Sequence, residues 1–355
     1  MLVRAQRLHP ASAEPINEEA CAILQKFHSS KAKGTWRLEH ILGSCPEFSY
    51  DREGSILIRR ALSSTYDKTS RTRLFREMVP MHVLRSMKHD YASHVIQSML
   101  EVGTFWQVRE IIKAMRGHAL SLVLHPCASR VVEKAFPRMT SRQREEFVHE
   151  ILSNDGLVTC AYSETGSHIL EVMLKTFPQS ELEFTTSLCG ISVALSQHKH
   201  GYKVIKSALE YSPLNSVVSI VQDLSYSVIS LSYLHDGHKV VLAIFQNVPE
   251  LDKGSILDRF RGFLPLLSSH RFGSQVCKTI ISVADPHRRR IFVDELIAFG
   301  RRTDLLTSSY ANSVFCKIVP LVEDHQRYSI LELVNGLDRI DASGGSKENF
   351  VLEYY

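Results

Sequence analysis

A six-residue helical frame recurs along the chain, and its period limits the possible folds more than any other feature. The frame reads small residue, polar residue, second polar or cationic residue, two apolar residues, third polar residue. It is sharpest in Ala92-Ser93-His94-Val95-Ile96-Gln97, inside the stretch from His89 to Glu101. At about 100° per residue, Val95, Ile96, Met99 and Leu100 share one face of a helix, while Ser93, His94 and Gln97 gather on another. The frame also fits the segments 54–59, 128–133 and 166–171, and more loosely 201–206, 237–242, 273–278 and 311–316. Its second residue falls at 55, 93, 129, 167, 202, 238, 274 and 312, in steps of 35 to 38 residues. Eight copies at that spacing predict an all-α solenoid, in which each unit buries its apolar face on its neighbours.

Between frames lie further helical patterns, such as Phe105 to Met115 and Glu145 to Leu152, and prolines 126, 137, 178, 213, 249, 265 and 286 fall near the joints. Two helical patterns, around 21–24 and 36–42, are expected to cap the first repeat, and Tyr328 to Val334 to close the last. We therefore expect a frayed N-terminus over 1–14, one array with its caps over 15–335, and a tail over 336–355. The first 14 residues also permit a short mitochondrial presequence.

No apolar run approaches the 18 residues of a membrane span. The seven cysteines are scattered without a Cys-x-x-Cys pair, which predicts neither a disulfide frame nor a metal site, and points to a reducing compartment. Cys277 and Cys316, inside frames, are expected to pack as small apolar groups. A net charge of +4 suits a nucleic-acid partner without identifying one. Its distribution says more, because Lys203, Lys206, Lys239 and Lys278 would lay a basic stripe on the polar face of repeats five to seven. The densest basic run, Pro286 to Arg290, is expected to be a solvated loop and helix start. His198 and His200, near another helix start, suit capping or phosphate contact better than metal ligation.

Eight units of about 36 residues, with helices of the form Gly/Ala-Ser-His/Arg-Val-Ile/Val-Gln/Glu, resemble the Pumilio or PUF family of RNA-binding proteins over roughly residues 44–335. The resemblance implies a right-handed crescent whose concave face binds single-stranded RNA at one base per repeat, without cofactor or catalysis. It implies base-edge readers at the first and third polar positions: Ser55 with Arg59, Ser93 with Gln97, Ser129 with Glu133, Ser167 with Glu171, Tyr202 with Lys206, then His238, Ser274 with Lys278, and Asn312. Stacking or backbone contacts would fall to His94, Arg130, His168, Lys203, Lys239 and Gln275. A carboxylate only accepts hydrogen bonds and so matches the paired N–H donors of guanine; an amide donates and accepts, and suits adenine. Read antiparallel, the frames imply a 5′-GGA-3′ core, extended to 5′-GGAC-3′ by Ser55 and Arg59.

No repeat carries the Asn-Tyr with Gln set that the family's messenger-RNA regulators use for uracil, and lysines occupy several reading positions. Both traits resemble the divergent nucleolar branch that binds ribosomal-RNA precursors, so ribosome biogenesis is favoured over 3′-UTR regulation, and nucleus, nucleolus or cytoplasm over mitochondrion. The competing reading is a protein-binding α-solenoid; serine at the second frame position in five of eight repeats argues against it. An enzyme is not indicated, since the 17 histidines fall in no Gly-rich phosphate loop, paired-carboxylate site or His-Glu-x-x-His helix. A monomer is expected, with protein partners on the convex side.

Overall fold

Each frame folds as a helix because its apolar pair and the residues one turn on share one buried face; in the second repeat Val95, Ile96, Met99 and Leu100 are all buried. The computed structural model describes residues 18–63, 68–176, 182–248, 250–303 and 305–341. The N-terminal 1–14, Pro178, Pro249 and the tail beyond 341 lie outside the described residues. In chain order the frame helices are α1 (Arg52–Ser63), α2 (Ala92–Val102), α3 (Pro126–Ala135), α4 (Glu164–Thr176), α5 (Gly201–Tyr211), α6 (Gly237–Asn247), α7 (Gly273–Val283) and α8 (Ser309–Ile318). Among the described residues no strand occurs, and no helix is long and apolar enough to cross a membrane.

Contacts divide the chain into two compact units, Met1–Ile151 and Leu152–Tyr355. In the first, α1, α2 and α3 pack in series; in the second, α4 to α8 do the same. A second helix follows most frames, for example Phe105–Ala114 after α2 and Leu214–Ser225 after α5. The segment leading into each frame is itself a short helix in seven of the eight repeats, as in Val83–Met87, Ala119–Val123 and Leu264–Ser268. At the first cap the expected helix over 36–42 is only a 3₁₀ turn, Leu38–Ile41, because Gly43 turns left-handed at φ 92° and stops it. Phe27 of the helix Glu18–Ser29 packs on Trp36 and Phe48, and Lys33 and His28 bond Glu53 of α1. The closing helix runs Asp324–Asp341, so residues 336–341 are helical rather than tail.

The small first residue of the frame has a steric cause. The lead-in helix ends against the start of the frame helix, and a Cβ added at Gly54 or Gly166 would lie 2.4 Å from the carbonyl oxygen of Phe48 or Cys160. Before α1, α3, α5 and α7, a left-handed glycine precedes the lead-in helix and donates its N–H to a carboxylate of that repeat's second helix: Gly43 to Glu77, Gly117 to Glu150, Gly190 to Asp223 and Gly262 to Glu295, at 2.8 to 3.0 Å. Each clasp ties the lead-in helix to the second helix across the frame.

Candidate nucleic-acid interface

Where the frame helices begin decides which way their polar positions face. Histidine nitrogens cap four of them. The Nδ1 atoms of His89, His125, His198 and His270 accept the backbone N–H groups two and three residues on, at 3.2 to 3.4 Å, while Asp51 and Ser163 cap α1 and α4 with side-chain oxygens. Tyrosines of the preceding repeat hold three of these rings edge-on: Tyr50 on His89, Tyr162 on His198 and Tyr233 on His270. His198 is thus a cap, as its place at a helix start suggested. Burial, ahead of the opposing effects of Asp90 and Arg85, pushes the imidazole of His89 below its ordinary pKa. Burial does the same at His125, with Lys88 adding to it and Asp90 opposing.

Ser55, Ser93, Ser129, Ser167 and Ser274 are all buried, and each hydroxyl donates to the carbonyl three residues back, at 2.8 to 3.3 Å. Their hydrogens are engaged at the helix start, which leaves lone pairs to face a ligand. Serine at this position therefore has a structural cause as well as a possible reading role.

In the first unit the remaining polar positions converge. The charges that depress His94, after burial, are Arg59 of α1 and Arg130 and Lys134 of α3, so a flat, neutral ring sits among cations from both neighbouring helices. Lys134 also pairs with Glu101. Gln97 is 9% exposed, and its Nε2 has no hydrogen-bond partner. Glu133 is half-buried on α3, and Ile56 is exposed on α1.

The second unit is more occupied. Burial pushes the Glu171 carboxyl up, against the pull of Lys203, His168 and Lys206. His168, Lys206 and Gln275 are exposed, and Lys203 and Asn312 half-buried. Lys239 lies 4.5 Å over the Tyr202 ring and donates to Asp236 at 3.0 Å. His238 stacks on Phe272 with centroids 4.9 Å apart and planes 15° from parallel. Lys278 donates to Ser313 at 2.6 Å. The expected basic stripe is therefore partly engaged, with Lys203 and Lys206 its most available members. Cys277 is buried as expected, but Cys316 is exposed, because the third frame position faces away from the core.

The run 286–290 starts a helix, as expected, but two of its arginines are structural rather than solvated. Arg288 binds Asp258 through two nitrogens at 3.0 Å and Asp285 at 2.7 Å, and Arg289 donates to the carbonyls of Ile281 and Ala284 at the end of α7. Apart from His198, the histidine caps were not legible in the sequence, nor were the Gly–carboxylate clasps and Phe272. The clasps left a signal, a glycine followed 33 or 34 residues later by Glu or Asp in alternate repeats.

A family model described as the Pumilio-family RNA binding repeat matches residues 82–115, 118–152, 193–225 and 265–297. Pumilio homolog 12 of Arabidopsis thaliana is 23% identical over 273 residues, covering 74% of this chain and 44% of that protein. Pumilio homolog 3 of Homo sapiens is 20% identical over 268 residues, covering 74% and 41%. The chain thus spans under half the length of these two relatives. Among solved structures, the Puf3 RNA-binding domain bound to a Cox17 RNA 3′ UTR recognition sequence aligns at TM-score 0.74 and 23% identity, over 90% of this chain and 96% of that one. The crystal structure of PUF-8 in complex with PBE-RNA aligns at TM-score 0.81 and 18% identity, over 90% and 94%.

Proposed function

We propose, from the premise that this chain belongs to the Pumilio repeat family, that it binds single-stranded RNA on the face formed by the polar positions of its frame helices. The observation that carries this is Gln97. A buried amide donor left without a partner costs about 1–3 kcal/mol, and it persists where a ligand supplies the acceptor. An adenine ring offers that acceptor, together with a donor for the amide oxygen. His94, neutral and flat among Arg59 and Arg130, supports the reading as a stacking group flanked by phosphate contacts.

Glu133 and Glu171 read guanine in this proposal, so that with Gln97 the preferred core is 5′-GGA-3′. Desolvation makes Glu171 a costly group to leave bare, and guanine's two donors would satisfy it. Beyond α4, contacts pass from bases to backbone: Tyr202, His238 and Lys278 are already paired within the protein, and Lys203 and Lys206 suit phosphates. That division supports a role in ribosomal-RNA processing, in nucleus or nucleolus. The alternative, messenger-RNA regulation through 3′-UTR sites, is favoured by the Cox17 3′ UTR sequence bound to the Puf3 domain.

Selection from a random RNA pool tests the proposal, with Glu133→Gln, Glu171→Gln run alongside the native chain. A GGA core that loses its guanines in the variant is expected. Retention of RNA with no common sequence would leave backbone tracking only, and absence of retention would reject RNA binding.

A further inference from the structure

The second helices of the first unit carry apolar surface that neither the fold nor the RNA face uses. The helix Phe105–Ala114 buries Val108, Ile111 and Ile112, and Thr104 with Gln107 completes its capping box. Phe105 and Trp106 contribute nothing to that core, for they are 60% and 67% exposed and pack edge-on against each other at 5.4 Å. Trp106 forms one wall of a groove of about 550 Å³ against the helix Lys68–Met78, with Phe75, Val79 and Pro80 along its apolar side. None of the residues at reading positions lines it. An exposed tryptophan that walls an apolar groove rimmed by polar groups has the make-up of a protein-binding anchor.

Charge narrows the occupant. Arg76 and Lys113 border the groove, and Glu110 is the one carboxylate among its lining residues. Glu110 stands 3.9 Å from Lys113 with both groups exposed, a pairing too weak to compete strongly with a new partner. Arg76 has no carboxylate partner among the described residues. Arg109 lies over the Trp106 ring at 5.4 Å and covers one of its faces, which hinders a nucleobase from intercalating there. We propose that this groove docks a short acidic segment of a partner protein, with apolar side chains seated between Trp106 and Pro80 and carboxylates meeting Arg76 and Lys113.

A phage-displayed library of random 16-residue peptides, panned on the full chain, tests this. The enriched peptides should combine Asp or Glu with two or more large apolar residues. They should bind Trp106→Ala and Arg76→Glu about tenfold or more weakly, with RNA affinity unchanged. Both side chains are exposed, so the variants should keep the native circular dichroism and melting behaviour. Enrichment of no shared pattern, or equal binding to native chain and variants, would overturn the proposal. So would variants that lose RNA affinity and leave peptide binding intact, since the groove would then be an RNA contact.

Discussion

An imidazole can cap a helix through Nδ1 only while that nitrogen is unprotonated, so α2 and α3, which begin on His89 and His125, are tied to pH. His89 and His125 have pKa values depressed below the unfolded value of about 6.5, chiefly by burial. Their contribution to stability is therefore present above about pH 6.5 and is lost as the pH falls through their folded pKa values, where protonation removes the acceptor. Replacing both with asparagine, which caps through an oxygen that does not titrate, should flatten that dependence. Denaturant midpoints at pH 7.5 and 5.5 check this: the native chain should lose on the order of 1 kcal/mol per cap, and the double variant should lose less. Equal losses would assign the acid sensitivity elsewhere. At this scale the sequence was only partly legible. The Ser–Gln and Ser–Glu pattern stood out, but its serines are also bonded to the helix start, and a back-bonded serine and a base-reading serine leave the same letter in the sequence.

At the scale of elements, two devices fix the lead-in helices, and repeats one, five and seven carry both. One is the close approach at the frame glycine. Gly166→Ala places a methyl against the Cys160 carbonyl oxygen, a backbone atom that cannot rotate away, and should cost about 1–3 kcal/mol by thermal or denaturant unfolding. An unchanged midpoint would mean that the lead-in helix moves freely. The other is the clasp at Glu150, whose two oxygens take the N–H groups of Gly117 and Ala119 at 3.0 and 2.7 Å. Glu150→Ala leaves both donors short of a charged partner and should destabilise the first unit by about 1.5–3 kcal/mol, with faster amide exchange at 117–123 as its local sign. Frame helices were legible because ten or more residues sample the helical period three times. Lead-in helices of five residues do not complete two turns, so no periodicity exposed them. In the 286–290 run the helix start was legible but the structural use of two arginines was not, since Arg288 meets Asp258 of an earlier repeat, about thirty residues away in sequence, and Arg289 meets the carbonyls that end α7.

For the whole molecule, the period alone specified an all-α repeat architecture, because stacking is the one arrangement in which units this small bury their apolar faces. It did not reveal that the contacts separate at 151 into two units, nor that side chains of the second unit are already stacked or bonded to one another. Such pairings depend on which residues of adjacent repeats meet, and the frame treats each repeat alone. They also make a distinction that binding can detect. A net charge of +4 is too small to drive tight association by itself, so the salt dependence of RNA binding should report a few specific lysines. For single strands, log K falls against log salt with a slope of about −0.7 per neutralised phosphate. Removing the more available pair with Lys203→Gln, Lys206→Gln should therefore reduce the slope by about 1.4. Lys239→Gln should reduce it by less than about 0.7, because that ammonium already bonds Asp236 and Tyr202. Titrations of the full chain with an unstructured RNA between low and physiological salt measure both. Equal slope changes per lysine would show that Lys239 leaves Asp236 to meet the RNA, and an unchanged slope in the double variant would remove Lys203 and Lys206 from the interface.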